Sequence, residues 1–224
     1  MTKAEWKIDV GGEPTRAIYE SATSGNDEAV FVCAHGAGGS MMDRSTLAAA
    51  NQLRTRGFGV VRFNFLYKEK GSSRPDSMPK AMDTIRAVVD RVRGELDVPK
   101  LIIGGRSFGG RAASMLAAED YDAFGLLLLA YPLHPPGQLE KLRDAHLPSI
   151  TMPVLCFNGT KDTFCTPEIM ERVLKTVKAP WTMHWLEGAD HSFNVLKSSG
   201  RTDAAVLEEV GEAAERWLRG ADAS

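Results

Sequence analysis

The sequence predicts an α/β fold in which a mostly parallel central sheet is covered by helices on both faces. Two observations lead to this prediction. From about residue 29 to the end, short apolar runs rich in β-branched residues alternate with segments of helical periodicity. Ahead of that alternation lie two strand-like segments around a tight turn. We find no internal repeat or linker, so we expect residues 1–224 to form a single domain.

The predicted strands are of two kinds. Glu5–Val10 and Thr15–Ser21 flank a Gly-Gly-Glu-Pro turn, which predicts an N-terminal antiparallel hairpin. Six further runs have the length and composition of central strands, namely Ala29–Ala34, Gly59–Phe65, Leu101–Gly104, Phe124–Leu129, Val154–Phe157 and Trp181–Trp185.

Segments of helical periodicity separate these strands. The last of them is the clearest, because its apolar residues form one stripe between acidic positions. The apolar positions are Leu47, Ala50 and Leu53; Met78, Met82, Ile85, Val89 and Val92; Ala112, Met115 and Leu116; Ile169, Val173 and Val177; and Val206, Leu207, Val210, Ala214, Trp217 and Leu218. Residues 133–151 fit neither element type and are too few to fold into a cap domain. We therefore expect the entrance to the active site beside these residues to be open.

Composition argues against several functional classes. A formal net charge of -2 leaves no basic surplus for binding nucleic acid. Cys33, Cys156 and Cys165 form no C-x-x-C pair, which favours reduced thiols over a disulfide framework or a zinc site. No apolar run approaches the roughly 18 residues of a membrane span, and charges interrupt the N-terminal segment where a signal peptide is apolar. We expect a cytoplasmic protein that binds no metal.

The strongest motif is Gly-Arg-Ser-Phe-Gly at residues 105–109, between the run Leu101–Gly104 and a predicted helix. Acyl transfer needs a serine oxygen held clear of the sheet, and a sharp strand–turn–helix elbow achieves this where the flanking residues are small. Glycines stand on both sides of Ser107. The plainer interpretation is a glycine-rich turn with an incidental serine. The position between strand and helix favours Ser107 as a nucleophile.

Two downstream residues complete the order serine, acid, histidine. His191 follows the run Trp181–Trp185 and precedes the last helix, from where an imidazole can take the serine proton. Asp162 follows the run Val154–Phe157 at the same sheet edge and would orient the imidazole. A turn or capping role for Asp162 is the alternative. We interpret Asp190 as a loop-shaping group, since adjacent residues seldom place a carboxylate against the neighbouring ring.

A developing oxyanion needs two N–H donors, one after the nucleophile and one after the first central strand. Phe108 supplies the first. The second comes from His-Gly-Ala-Gly-Gly-Ser at residues 35–40, with Ala37 the preferred donor and Gly38 next. A phosphate-cradling loop is the alternative, but this string lacks the spacing of the dinucleotide and P-loop motifs.

Five basic residues suggest an anionic substrate: Lys68, Arg74, Arg106, Arg111 and Arg143. The favoured interpretation is different, because surface arginines usually form ion pairs or cover apolar area with their stems. Whether Arg106, Arg111 or Arg143 bind an anionic substrate stays open at this point.

These motifs, in this order, resemble the α/β-hydrolase superfamily over nearly the whole chain. The lack of a cap resembles its small dienelactone-hydrolase-like members, although those use a cysteine nucleophile where this chain has Ser107. The strings Arg62-Phe63-Asn64-Phe65, Gly105-Arg106-Ser107-Phe108-Gly109-Gly110-Arg111 and Tyr131-Pro132-Leu133-His134-Pro135-Pro136-Gly137 are similar to bacterial hydrolases related to the animal testis-expressed and NSL-complex α/β proteins. The resemblance implies a capless α/β-hydrolase fold with Ser107, Asp162 and His191 as its triad.

We therefore expect a serine hydrolase that works through an acyl-enzyme, an esterase or thioesterase on small molecules, with no organic cofactor. Two alternatives stay open. One is a binding or scaffold protein that keeps the fold without turnover. The other is an acyltransferase or peptidase that uses the same triad. Bond type, acyl acceptor and oligomeric state are not indicated by the sequence.

Overall fold

A single sheet of eight strands forms the centre of the structure, a computed structural model that describes residues 2–98 and 100–220. In chain order the strands are β1 (Lys3–Val10), β2 (Glu13–Glu20), β3 (Ala29–Ala34), β4 (Phe58–Phe63), β5 (Leu101–Arg106), β6 (Gly125–Leu129), β7 (Val154–Gly159) and β8 (Trp181–Leu186). Their order in the sheet is β1-β2-β4-β3-β5-β6-β7-β8. The last six run parallel, whereas β2 is antiparallel to both β1 and β4. The predicted fold class, including its N-terminal hairpin, is confirmed.

Helices pack on both faces of this sheet. They are α1 (Arg44–Arg54), α2 (Leu66–Glu69), α3 (Met78–Glu95), α4 (Phe108–Ala117), α5 (Pro167–Leu174) and α6 (Asp203–Gly220). One apolar cluster buries Ile85 of α3 and Leu116 of α4, and a second cluster buries Leu53 of α1 and Val210 of α6. Each fully buried aliphatic side chain of this kind stabilises the fold by about 1.5–3 kcal/mol. The apolar stripes predicted for these four helices therefore build the two halves of the core.

Most strand ends differ from the sequence prediction by one or two residues, as at β4, which is Phe58–Phe63 where Gly59–Phe65 was expected. The predicted Gly-Gly-Glu-Pro turn is shorter, because Gly11 and Gly12 both adopt positive φ (59° and 88°) and close a two-residue hairpin, so β2 starts at Glu13. Helix α5 ends at Leu174, and Val177 lies in a turn whose N–H groups bond three residues back. Helix α2 was not predicted, since four residues are too few to show periodicity.

The parallel strands bring six loops to one edge of the sheet, where their carboxyl ends meet. Among them is the segment between β6 and β7, which holds a single 3-10 turn at Leu147–Ser149 and folds back on itself. Leu147 and Ile150 of this segment are buried, whereas Leu139 is 48% exposed. Among the residues that the structure describes, no helix is long and apolar enough to cross a membrane.

Candidate active site

Ser107 lies at a sharp turn between β5 and α4 with φ 49° and ψ -112°. A non-glycine residue at positive φ costs about 1–3 kcal/mol and persists where its surroundings fix it. Here the Ser107 N–H donates to the Leu129 carbonyl at 2.9 Å, and the Ser107 carbonyl accepts from Arg111 N–H at 2.9 Å. The backbone therefore holds the hydroxyl clear of the sheet.

Glycines allow this turn because other chain segments pass directly against it. A Cβ at Gly105 would overlap the Ala34 carbonyl oxygen. At Gly109 a Cβ would lie 2.6 Å from both the Ala34 Cβ and the His35 carbonyl oxygen. The small flanking residues that the motif requires thus have a steric cause, the close approach of the end of β3.

The structure brings Ser107, His191 and Asp162 into one hydrogen-bonded line. The Ser107 Oγ is 2.9 Å from His191 Nε2. On the other side of the ring, His191 Nδ1 is 2.8 Å from Asp162 Oδ2 and 3.0 Å from Oδ1. The Asp162 side chain is fully buried, whereas that of His191 is 21% exposed. Because Asp162 can only accept, the Nδ1 carries the proton and Nε2 is free to accept from Ser107.

Asp162 is fixed by two further donors. The Asn158 Nδ2 donates to Asp162 Oδ2 at 3.0 Å, and the Phe164 N–H donates to Oδ1 at 2.8 Å. Asn158 itself is held by both backbone groups of Tyr131. Sequence reasoning missed Asn158, although its place at the end of the strand before Asp162 is a signal that could have found it.

Asp190 shapes the loop that carries His191. Its Oδ1 accepts from the Ser192 N–H at 2.7 Å and from the Asn194 N–H at 2.9 Å. Its own N–H donates to the Asn194 carbonyl at 3.0 Å. The carboxylate is therefore engaged by its own loop, as the sequence interpretation of this residue expected.

Arg106 contacts the loop that carries His191. Its guanidinium donates to the His191 carbonyl and lies over the Phe193 ring, 5.2 Å from the centroid. Burial lowers the pKa of Arg106, while the carboxylates of Asp162 and Asp190 act in the opposite direction. The side chain is thus a positioning group for the histidine loop.

The segments that carry the predicted oxyanion donors both adjoin Ser107. Phe108 is the first residue of α4, so its N–H has no acceptor within the helix and lies at the positive end of the helix dipole. A Cβ on Gly36 would lie 3.7 Å from the Ser107 Cβ, which places the glycine loop directly against the serine. Within the described residues, the N–H groups of Ala37 and Gly38 have no protein acceptor.

Three side chains whose role here the sequence does not indicate hold this glycine loop in place. His35 is buried, and its Nδ1 donates to the Gly36 carbonyl at 2.8 Å while its Nε2 accepts from the Phe65 N–H at 3.1 Å. Burial lowers the pKa of His35, consistent with the neutral ring that this pattern requires. From α2, the Tyr67 hydroxyl donates to the Gly36 carbonyl at 3.4 Å, and Lys68 Nζ donates to the Gly38 carbonyl at 3.4 Å.

The cysteines offer no competing nucleophile or metal site in the described part of the chain. All three are free and buried. Burial raises the pKa of Cys33 to about 12 and raises the pKa of Cys156 and Cys165 as well. Residues 2–98 and 100–220 hold no group of three His, Cys, Asp or Glu that could bind a metal ion.

Comparisons with known proteins agree with this fold. A family model described as an alpha/beta hydrolase domain matches residues 27–219. The structure of Est1E from Butyrivibrio proteoclasticus with bound ferulic acid is 20% identical to this chain, the match covers 98% of this chain and 100% of Est1E, and the TM-score is 0.79. A lidless α/β serine hydrolase from Xanthomonas campestris is 24% identical (96% and 95% covered, TM-score 0.75). A dienelactone hydrolase from Anabaena variabilis is 18% identical (98% and 97% covered, TM-score 0.76).

Proposed function

This chain belongs to the α/β-hydrolase family, and from that premise we propose that it is a serine hydrolase with Ser107, His191 and Asp162 as its catalytic triad. One observation carries the proposal. The Ser107 Oγ, the two nitrogens of His191 and the Asp162 carboxylate lie at successive distances of 2.9 Å and 2.8 Å, the order that proton transfer from serine requires.

The reaction follows from which atoms donate and which accept. As Ser107 Oγ attacks the carbonyl carbon, its proton passes to His191 Nε2, and Asp162 stabilises the resulting imidazolium through Nδ1–H. The N–H groups of Phe108 and Ala37, with Gly38 as the alternative to Ala37, hold the oxyanion. His191 then returns the proton to the leaving group. A water molecule repeats these steps on the acyl-enzyme, which releases the acid and restores Ser107.

We propose carboxylic esters or thioesters of small acids as the substrates. The segment after β6 supports this size limit, since the 3-10 turn Leu147–Ser149 is the one helical element it holds and is too small to form a lid. The similar structures include Est1E with bound ferulic acid, an esterase domain from Rhodothermus marinus and a serine hydrolase without a lid.

A fluorophosphonate probe should label the native protein at neutral pH, and peptide mapping should find the adduct on Ser107. Such a reagent modifies a serine whose proton is taken by a base, so labelling reports activation without a matching ester. Heat-denatured protein is the control and should not react. A folded protein that stays unlabelled would favour the scaffold alternative.

Acyl-chain length should have little effect on kcat/KM beyond short acyl groups. A closed apolar tunnel gains about 0.8 kcal/mol per methylene, which corresponds to about fourfold in kcat/KM for each added carbon. An open mouth does not bury the added methylenes. Kinetics with p-nitrophenyl esters and matched thioesters from two to twelve carbons would measure the slope. A steady rise toward long chains would contradict the small-substrate proposal while leaving the hydrolase proposal intact.

A further inference from the structure

Two arginines without carboxylate partners lie where α4 meets the segment that follows β6. Arg111 is in α4, one helical turn after Ser107, and its N–H donates to the Ser107 carbonyl. Arg143 is in the segment after β6, and its Nη1 donates to the Pro132 carbonyl at 3.2 Å. In the part of the chain that the structure describes, neither guanidinium forms an ion pair with an aspartate or glutamate.

Hydrogen bonds fix this arrangement. The Tyr131 hydroxyl donates to the Arg143 carbonyl at 2.5 Å, and the Arg143 N–H donates to the Leu133 carbonyl at 2.8 Å. The Ser114 hydroxyl donates its one hydrogen to the Arg111 carbonyl at 2.8 Å. Its contact with His146 Nε2, also at 2.8 Å, is therefore one in which the hydroxyl oxygen accepts. The segment after β6 is therefore attached to the helical turn that carries Arg111.

The cluster has an excess of positive charge. Burial lowers the pKa of Arg143, and the Arg111 guanidinium lowers it further, which indicates that the two cations repel each other. Burial and the charge of Arg111 lower the pKa of His146 to about 4, so this ring is neutral at neutral pH. Asp144 is the acid that acts on His146, but its carboxylate is paired with neither arginine.

Arg111 also has a buried donor with no partner. Its Nε is shielded from solvent and makes no hydrogen bond within the described residues. Buried polar groups in folded proteins are normally paired, and a guanidinium matches the two oxygens of a carboxylate or phosphate. The Arg111 Nε–H has no acceptor in the protein, and a second cation, Arg143, lies beside it. A ligand with a carboxylate or phosphate group would supply that acceptor.

An anionic group bound to Arg111 would lie close to the substrate carbonyl that Ser107 attacks. Arg111 lies in the first turn of α4, directly after the Ser107 elbow, and helical side chains tilt toward the N-terminus of their helix. A substrate carbonyl at Ser107 would thus place its acyl part within reach of Arg111, while its leaving group faces His191.

We propose that Arg111 and Arg143 form an anion subsite, so that the preferred substrates are esters or thioesters whose acyl part carries a carboxylate. This inference rests on the hydrolase function proposed above. A dicarboxylic acid monoester has the required chemistry, with one acid group esterified and the other free. The subsite pairs both guanidinium groups with the free carboxylate and supplies the missing acceptor for Arg111 Nε.

The test compares the mono-p-nitrophenyl ester of glutaric acid with p-nitrophenyl pentanoate, which has the same chain length and no charge. Wild-type protein should prefer the acidic ester. Arg111→Gln and Arg143→Gln should each lower kcat/KM for the acidic ester by about 10- to 100-fold, mainly through KM, because a charge-assisted hydrogen bond is lost. The neutral ester should change little. Arg111→Lys keeps the positive charge but loses the planar guanidinium that can bind both carboxylate oxygens. This variant should retain part of the preference for the acidic ester.

Arg91→Gln is the matched control, since Arg91 is exposed on α3 and pairs with Glu95 of the same helix. It removes one positive charge and should leave both esters unaffected. An equal loss with both esters, or a wild-type preference for the neutral ester, overturns the subsite. Circular dichroism of each variant identifies any that fail to fold.

A binding measurement separates the subsite from catalysis. In the Ser107→Ala protein, free glutarate should raise Tm, and adding Arg111→Gln should remove that shift. Normal turnover of the neutral ester without any glutarate effect would overturn the subsite alone. Absence of fluorophosphonate labelling and of turnover with both esters would instead reject the hydrolase function.

Discussion

Replacing Ser107 with alanine should lower kcat by about 10⁴- to 10⁶-fold, the range seen when the nucleophile of a serine triad is removed. The remaining activity would come from the oxyanion donors and substrate binding alone. The hydroxyl contacts His191 Nε2, and Ser107 is only partly buried, so its loss leaves no cavity in the core. Tm should therefore stay close to that of the wild type. Steady-state kinetics with a short p-nitrophenyl ester, together with thermal melts, would measure both effects.

Ser107→Gly is the control that separates catalysis from backbone strain. Both variants lack the nucleophile, but alanine keeps a Cβ at φ 49° and glycine does not. Relief of this strain exceeds the larger unfolded-state entropy of glycine, so the glycine variant should be more stable than the alanine variant by roughly 1 kcal/mol. An alanine variant that retains more than about a tenth of wild-type kcat would identify a different nucleophile and overturn the assignment.

The sheet, and the proximity of the three candidate residues, could be predicted because their signals are local. Each parallel strand is a short apolar run, and Ser107, Asp162 and His191 each follow such a run. Parallel strands place their carboxyl ends at one edge, so position after a strand predicts proximity in space. The strands β5, β7 and β8, which precede Ser107, Asp162 and His191, begin at the residues predicted from the sequence.

Contacts between distant segments could not be predicted in this way. The bond from Tyr67 to Gly36 depends on α2, whose four residues carry no periodicity. Arg106 was grouped with other basic residues, since nothing in the sequence indicates that its guanidinium turns toward the His191 carbonyl. The sequence interpretation favours ion pairs, or packing of the stems on apolar area, for Arg111 and Arg143, and the described residues provide no ion pair for either. Pairing of this kind is decided by tertiary structure rather than by neighbours in the chain.

Asp162→Asn should lower kcat by roughly 10⁴-fold, whereas Asp190→Asn should change it by no more than about threefold. The reason lies in the donors around each carboxylate. Oδ1 of Asp162 accepts from the Phe164 N–H, and Oδ2 accepts from Asn158 Nδ2. An asparagine amide at this position would turn its NH₂ group against one of these donors. It would also favour the wrong tautomer of the histidine, with the proton on Nε2.

Asp190 tolerates the same change because a single oxygen makes its contacts. Its Oδ1 accepts both the Ser192 and the Asn194 N–H groups, and an asparagine carbonyl oxygen can accept them equally well. Matched kinetics of the two variants on one ester would compare them directly, with Tm measured alongside. The buried mismatch at position 162 should also lower stability by about 1–3 kcal/mol, which Asp190→Asn should not. If Asp190→Asn proved the more damaging to kcat, the orienting carboxylate would be Asp190, and the hydrogen bonds between Asp162 and His191 Nδ1 would serve structure alone.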